Sequence, residues 1–466
     1  MSSPLSQVTA RPRDGGSPWP VFAVCAISFA VVMFDLAVVN VAFPDILSDF
    51  EITRADGSWM VSLYNIFFGS LLLVAGKTAD SVGRRKMLRI GLATFGAGAA
   101  VSALAPNLAM LLAGRAVQGI GAALLTPAAL GLAVAAFPVE RRTQTMAYWG
   151  AVGASGVSSG PSIGAAMIQV MNWRTAFWVP FAVCTVLLVA SGRVLKESPT
   201  SNSDHRPDYF GAGLVTAAMA SLVLGVSRSG AWGWTSPATL GSIAIGLSTT
   251  GLFVARQRDH PEPILDLMLF RSRSFTVASF SGLVFFAAYG AYNLNNVLFL
   301  RQAWSYSVLE AGLIALIGPL TVTVLSPLAG RVATRGGFRL PAIVGALTAA
   351  VGALGLATSF SETPQPALFM FFVVIVGTGI ALFGATNGGA GVADLPPERL
   401  SVGGAVSNAL RQIGVAFGVA LLVVVVGTPE TASELVDAHS NGYLLAAITM
   451  IVTALMNLAQ TGRRVE

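Results

Sequence analysis

The sequence predicts an all-α integral membrane protein in which fourteen transmembrane helices form two six-helix pseudo-symmetric bundles with two inserted central helices. Three observations support this fold class. Hydrophobic residues make up 54% of the 466 residues and charged residues only 11%. The apolar residues fall in runs of about 20, which is the length that crosses a bilayer as a helix. Glycine is abundant, with 50 residues, and small residues let membrane helices pack closely.

The apolar runs divide into groups of six, two and six. The first six lie near residues 21–43, 58–76, 87–106, 108–135, 145–169 and 174–192. Two more lie near 209–227 and 236–255, and the last six near 275–300, 307–329, 340–360, 366–391, 401–427 and 441–460. The expected organisation is therefore a tail (1–20), a bundle (21–192), a linker with two inserted helices (193–273), a second bundle (274–460) and a tail (461–466).

The distribution of basic residues predicts the orientation. An even number of spans places both termini on one side of the membrane. If that side is inside, only four basic residues fall in outer segments: Arg54, Arg174, Arg228 and Arg301. Short cytoplasmic segments carry an excess of Lys and Arg, so we expect a multi-pass protein of the plasma membrane with both termini in the cytoplasm.

Several other classes of function are disfavoured. The net charge of +6 does not indicate a nucleic-acid partner, because the basic residues lie in short segments between apolar runs. No glycine-rich phosphate loop with a lysine occurs, so ATP is not expected as a partner. No Cys/His cluster has metal-ligand spacing; we expect no metal, no cofactor and no enzyme activity. Cys25 and Cys184 lie within spans, so no disulfide is expected, and the polar first twenty residues do not resemble a cleaved signal peptide.

One acidic residue stands apart from the other 21 acids. Asp35 lies well inside the first span, where a charge is costly and usually functional. Arg115 lies at a similar depth in the fourth span, which enters from the opposite face, so the two side chains could pair. A neighbouring Arg and burial act oppositely on a carboxyl group, so a movable Arg115 could switch its proton affinity. All three histidines (His205, His260 and His439) are expected in loops, which would exclude a histidine relay inside the membrane.

A polar stretch of eleven residues, Gly76–Lys86, lies between the second and third runs and contains Asp80, Gly83, Arg84 and Arg85. The pattern Gly-x-x-Ala-Asp-x-x-Gly-Arg-Arg resembles the loop between helices 2 and 3 of the major facilitator superfamily. That resemblance implies a conformational latch on the cytoplasmic side. The alternative is a positive-inside anchor of any membrane protein.

The second half repeats this stretch. Gly330 and Gly337 have the same spacing as the two glycines of the first copy, as expected for a transporter built from related halves. Thr334 stands where the first copy has its aspartate, so any charge-dependent role belongs to the first half.

Two motifs resemble those of the fourteen-span drug:proton antiporter branch of this superfamily. The first is Asp35-x-x-x-x-Asn40 followed by Pro44, and the second is Arg115-x-x-Gln118-Gly. The resemblance implies that Asp35 binds a proton and that Arg115 tunes the proton affinity of its carboxyl group. Ala37 stands where the family has threonine. A static ion pair that only orders the two spans remains the alternative.

The fifth span carries Gly156, Gly160, Pro161 and Gly164. Glycines four residues apart share one helix face, and a proline can bend the helix beside them. The segment resembles the Gly-x-x-x-Gly-Pro-x-x-Gly-Gly motif of exporters in the superfamily, with Ala165 in place of the last glycine. Simple helix packing is the alternative.

Polar side chains inside several spans predict an internal substrate cavity, because unsatisfied amides in hydrocarbon are costly. The candidates are Asn40, Tyr64, Asn65, Gln118, Tyr289, Tyr292, Asn293, Asn296 and Arg411. Some could instead bond neighbouring helices. No acid of the second half is obviously placed to neutralise Arg411, so backbone carbonyls, water or Asp35 would have to serve.

The resemblance implies a proton-coupled multidrug efflux antiporter that exports amphipathic or cationic small molecules by alternating access. Its partners would be the substrate, protons and the lipid bilayer. Two alternatives stay open at this point. One is an exporter of a single endogenous metabolite, lipid or antibiotic. The other is a transport-inactive membrane receptor or scaffold.

Overall fold

The computed structural model describes residues 17–138, 141–197, 208–260, 263–395, 400–429 and 431–460. These residues are mostly helical. The first half contains α1 (Trp19–Asp49), α2 (Arg54–Val82), α3 (Arg84–Ala103), α4 (Leu108–Ala135), α5 (Arg142–Ser159), α6 (Ala165–Val170) and α7 (Thr175–Val194). A π-helical turn, Gly160–Gly164, joins α5 to α6, so the two helices continue as one element.

The rest of the described chain contains a short 3-10 helix, Leu267–Arg271, and eight more α-helices. These are α8 (Tyr209–Trp232), α9 (Pro237–Asp259), α10 (Arg273–Gln302), α11 (Val308–Gly336), α12 (Arg339–Thr358), α13 (Pro366–Val392), α14 (Leu400–Val426) and α15 (Ala432–Asn457). Eleven of the described helices are long and apolar enough to cross a membrane by length and composition.

Two helical groups each have an apolar core of their own. Helices α1–α5 and α7 share a buried cluster that includes Phe68, Phe95 and Leu125. Helices α10–α13 and α15 share a second cluster that includes Phe285, Phe369 and Phe383, and α14 belongs to this group by packing on α10. The groups meet where α2 packs on α14, α1 on α10, and α5 and α6 on α11. The candidate site lies between the groups.

Helices α8 and α9 form a hairpin that packs on both groups through α8. Val223 of α8 is buried with Ile66 of α2 and Ala416 of α14. Two polar contacts tie α8 to α2: Thr216 Oγ1 donates to Ser70 Oγ at 2.8 Å, and Arg228 Nη2 lies 2.5 Å from Asp56 Oδ1. The described contact of α8 with α14 is apolar, whereas its contact with α2 includes these two polar interactions. The hairpin is therefore attached more specifically to the first group.

The structure corrects two sequence expectations about helix ends. The polar stretch around Asp80 is not an eleven-residue loop, because α2 continues to Val82 and α3 begins at Arg84. Gly83 alone makes the turn, at φ 107, a conformation that suits glycine. The last helix begins at Ala432 rather than near 441, since Thr431 caps it by accepting from the Glu434 amide at 3.3 Å, a stable helix start.

That earlier start also overturns the expectation that every histidine lies in a loop. His439 lies inside α15 and is fully buried. Its Nδ1 is 2.7 Å from Asn295 Oδ1, and the side-chain Nδ2 of Asn295 donates to the His439 backbone carbonyl at 2.9 Å. His260 follows α9 directly, and His205 is outside the described residues. His439 therefore links α10 to α15.

Candidate functional site

The Asp35 carboxylate is enclosed and doubly hydrogen-bonded. Asp35 is 0% exposed and Arg115 is 1% exposed. Arg115 Nη1 donates to Asp35 Oδ2 at 2.6 Å, and Gln118 Nε2 donates to Asp35 Oδ1 at 2.8 Å. The pairing of the two charges that their similar depth suggested is therefore present, with Gln118 as a third member.

Arg115 is held by more than its ion pair. Its Nε donates to the Met60 carbonyl at 2.9 Å, and its Nη1 also contacts Gln118 Oε1 at 3.0 Å. The guanidinium carbon lies 4.2 Å from the centre of the Tyr64 ring, a favourable cation–π distance. A buried ion pair persists only when its remaining polar atoms are also satisfied, and these contacts supply that condition.

Glycines bring the three helices around this cluster into close approach. A Cβ atom at Gly98 of α3 would lie 2.6 Å from the Gln118 amide nitrogen. A Cβ atom at Gly119 of α4 would lie 2.6 Å from the Tyr64 carbonyl oxygen. Neither position can carry a larger residue without moving a backbone. The Arg-x-x-Gln-Gly spacing thus places two polar side chains against Asp35, and the glycine that follows them lets the α2 backbone approach α4 closely.

A cavity of about 420 Å³ lies beside this cluster, between the two helical groups. That volume is typical of small-molecule sites. Most of its wall is apolar, with side chains from α1, α2, α5, α10, α11, α13 and α14. Seven of the predicted cavity residues line it: Asn40, Asn65, Tyr289, Tyr292, Asn293, Asn296 and Arg411.

Two other predicted cavity residues lie elsewhere. Tyr64 and Gln118 are fully buried and are absent from the cavity wall as the described residues define it. Both contact Arg115 instead. Depth along a span does not tell which way each side chain points on its helix.

Two amides connect the helical groups across the cavity wall. Asn40 Nδ2 of α1 donates to Asn293 Oδ1 of α10 at 3.2 Å. Asn293 Nδ2 in turn donates to the Tyr289 hydroxyl at 3.3 Å. Within the described part of the chain, Asn40 Oδ1 and Asn296 Oδ1 are buried without a hydrogen-bond partner. The wall therefore offers neutral polar atoms with unused bonding capacity.

Arg411 differs from Arg115 in its surroundings. Its Nε is buried and has no hydrogen-bond partner among the described residues. The guanidinium carbon lies 5.5 Å from the centre of the Phe286 ring. Neither Asp35 nor a backbone carbonyl, the partners considered from the sequence, accepts a hydrogen bond from it within the described structure.

The glycines of the fifth span bring α5 against α1. Cβ atoms at Gly156 and Gly160 would lie 2.7 Å from the Ala30 carbonyl oxygen and 2.5 Å from the Ala37 Cβ. Gly160, Pro161 and Gly164 form the π-helical turn, a more local distortion than the expected bend. π-turns are frequent at functional sites.

The turn also meets the other helical group. Pro161 lines the cavity, and a Cβ atom at Gly312 of α11 would lie within 2.1 Å of the Pro161 carbonyl oxygen. This segment therefore contacts both groups at once.

The polar stretch at the α2–α3 turn has a carboxylate partner that the sequence did not reveal. Glu197 accepts from the Arg85 amide at 3.0 Å and from the Lys86 amide at 3.2 Å. Arg85 Nη2 donates to the Gly192 carbonyl at 2.9 Å. A carboxylate at the first turn of α3 accepts hydrogen bonds from the free backbone amides and interacts favourably with the positive end of the helix dipole. The side chain of Asp80 is outside the described structure.

Cross-group bonds at the α1–α2 end are functional candidates that sequence reasoning missed. Arg301 Nη2 of α10 lies 2.6 Å from Asp45 Oδ1 of α1. Arg54 of α2 donates to the Gly427 carbonyl at 3.0 Å and to Gln302 Oε1 at 2.6 Å. The sequence places Arg54 and Arg301 in outer segments but does not indicate their partners on the other helical group.

The eleven described helices that are long and apolar enough to cross a membrane and the cavity between the two helical groups are typical of a multi-pass membrane transporter. A solved structure of the peptide transporter POT in complex with sulfate superposes with a TM-score of 0.69, covering 97% of each chain at 14% identity. The family profile "Major Facilitator Superfamily" matches residues 25–419. The chain belongs to this superfamily.

Two named relatives are similar over most of their length. The multidrug resistance protein Stp of Mycobacterium tuberculosis (strain CDC 1551 / Oshkosh) is 31% identical, covering 84% of this chain and 73% of Stp. The tetracenomycin C resistance and export protein of Streptomyces glaucescens is 29% identical, covering 91% of this chain and 79% of that protein. The relatives are thus superfamily transporters of drug and antibiotic resistance.

Proposed function

We propose that this protein is a proton-coupled antiporter that exports amphipathic small molecules across the plasma membrane by alternating access. The buried cluster of Asp35, Arg115 and Gln118 beside the inter-group cavity carries this proposal. A carboxylate that exchanges between an arginine partner and a proton can couple proton entry to substrate exit. The drug-resistance and export names of two relatives support the direction.

Fourteen membrane spans fit this proposal. Eleven helices qualify by length and composition; α2, α3 and the continuous α5–α6 element would supply three more. Residues 21–192 and 274–460 would then be the two moving bundles, and 193–273 the linker with the inserted α8–α9 hairpin. Both termini, including the tails 1–20 and 461–466, would lie in the cytoplasm, as the basic residues of the inner segments favour.

In this orientation the two groups would be joined to each other at their outer end. Asp45–Arg301 and the Arg54 contacts join the two groups at that end. The stretch from Gly76 to Arg85 would act as the latch of the opposite, cytoplasmic end. The face of Gly156, Gly160 and Gly164 would hold α5 and the π-helical turn against α1 within the first bundle, and Pro161 would lie on the surface that moves against α11.

A second candidate is an exporter of one specific compound. The tetracenomycin C relative, named for a single antibiotic, favours it. A panel of dyes and antibiotics separates the two: a multidrug exporter moves several unrelated compounds, whereas a specific exporter moves one.

Transport in inverted membrane vesicles tests the proposal. Vesicles acidified inside should accumulate substrate, and collapsing the pH gradient should stop accumulation. Asp80→Asn should slow the rate without weakening binding, because the latch lies outside the cavity. Uptake into intact cells driven by the same gradient would contradict the proposed direction of transport. Transport by Asp80→Asn at the parental rate would contradict the role of this stretch as a latch.

A further inference from the structure

The cavity wall carries a positive charge that the protein itself does not balance. Arg115 and Arg411 are the charged side chains on this wall as the described residues define it, and no Asp or Glu of those residues lines it. Asp35 neutralises Arg115 from behind the wall at 2.6 Å. Arg411 has no comparable carboxylate within the described part of the chain.

The space around the Arg411 guanidinium is open on one side and aromatic on the other. A Cβ atom at Gly388 would be 3.8 Å from Nη2, so α13 presents only backbone at this point. Phe286 lies against the guanidinium, and its ring centre is 5.8 Å from that of Tyr289. A partly enclosed guanidinium with an unbonded Nε is costly unless a partner binds it.

We propose that the substrate is an amphipathic organic acid whose carboxylate, or an equivalent anionic group, pairs with Arg411. This inference rests on the proposed transport function and specifies its substrate class. The planar guanidinium matches a carboxylate through two parallel hydrogen bonds. It narrows the amphipathic or cationic substrates expected from the sequence to acidic ones, because a cation would meet an unbalanced positive charge in the cavity.

The rest of the wall fits the remainder of such a molecule. Phe286 and Tyr289 offer aromatic surface next to the anion-binding group. The unpaired amide oxygens of Asn40 and Asn296 accept a hydrogen bond from a hydroxyl or N–H group. A planar apolar body with one acidic end and one neutral donor therefore satisfies the wall.

Binding to purified protein tests this with three fluorescent probes that share one body: pyrenebutanoate, its carboxamide, and the matching pyrenebutylammonium. The parental protein should bind the carboxylate at least about tenfold more tightly than the amide, a typical effect of a charge-assisted hydrogen bond. Arg411→Gln should abolish that preference, and Arg411→Lys should retain part of it. Arg339→Gln removes an exposed arginine outside the cavity wall and should change nothing.

Equal binding of carboxylate and amide, tighter binding of the ammonium probe, or no carboxylate binding at millimolar concentration would each overturn the proposal. So would an unchanged preference in Arg411→Gln. If Arg411→Gln does not fold, the parental probe series and Arg411→Lys still decide the outcome. Binding needs no gradient, so a carboxylate preference without gradient-driven transport would refute the antiporter function while leaving the binding of a carboxylate at Arg411 in place.

Discussion

At the residue scale, the sequence predicted the charges but not all of their partners. The pairing of Asp35 with Arg115 followed from their depths in antiparallel spans, and the structure confirms it. Gln118 was placed in the cavity, yet it binds Asp35, since the close approach of α3 and α4 turns it inward. Side-chain direction on a helix buried on several faces does not follow from periodicity alone.

Asp208 offers a prediction at the same scale. It accepts from the Gly211 amide at 2.9 Å, from Arg256 Nη2 at 2.9 Å and from Gln257 Nε2 at 3.1 Å, which lowers the pKa of its carboxyl to about 2, despite an opposing effect of burial. The ionised form therefore joins the start of α8 to the end of α9.

Replacing this carboxylate with an amide should destabilise the hairpin by about 2 kcal/mol. Because the folded pKa is depressed, the stabilisation is full above the unfolded value near 4 and is lost as the pH falls toward 2. Thermal unfolding of parent and Asp208→Asn between pH 6 and pH 3 measures this. The difference in thermal stability between parent and variant should shrink as the pH falls. A constant difference would contradict the assignment of the stabilisation to the ionised Asp208 carboxylate.

At the element scale, the sequence located the helices but not the local distortions. Apolar runs predicted the interior of each long helix in the described part of the chain, because helices that cross lipid need them. The polar ends of α2 and α15 were assigned to loops, since helices that extend beyond the apolar region carry no hydropathy signal. The π-turn at Gly160 depends on contacts with both α1 and α11, which no single segment encodes.

Gly160→Leu tests the α1–α5 contact. A side chain there would meet Ala37 and the Val38 amide, so α5 should be forced away from α1 and transport should fall at least about tenfold, as overpacking costs 1–3 kcal/mol or more. Gly150→Leu is the matched control on the same helix, because nothing lies within 4 Å of its added Cβ. Equal transport by the two variants would show that close approach at Gly160 is unimportant.

At the scale of the whole molecule, the repeat predicted two related halves but not which contacts join them. Helix-to-helix contacts between distant segments depend on packing that hydropathy does not specify. The structure shows that Asp45–Arg301 and Arg54 join the groups at the α1–α2 end, beyond the Asn40–Asn293 contact. In the proposed cycle, these contacts must break before the outer end opens.

Asp45→Asn should therefore favour opening at this end. A partly exposed ion pair contributes on the order of 1 kcal/mol or less, so we expect a few-fold faster reaction of Val297→Cys, on the cavity wall, with an impermeant maleimide from outside. Asp49→Asn is the matched control, because Asp49 pairs with Arg174 inside one group. An equal increase in both variants would exclude a specific role for Asp45.

The central claim is that Asp35 carries the proton, and a double mutant tests it most directly. Asp35→Asn should abolish gradient-driven efflux and, by stranding a buried Arg115, destabilise the protein by about 3–5 kcal/mol. Asp35→Asn/Arg115→Gln should recover stability, because no charge is left unpaired, yet remain inactive, because no proton carrier remains. If the ion pair only supported the structure, the double mutant would regain both stability and gradient-driven efflux. Gradient-driven efflux by the double mutant at a rate near that of the parent would contradict the assignment of Asp35.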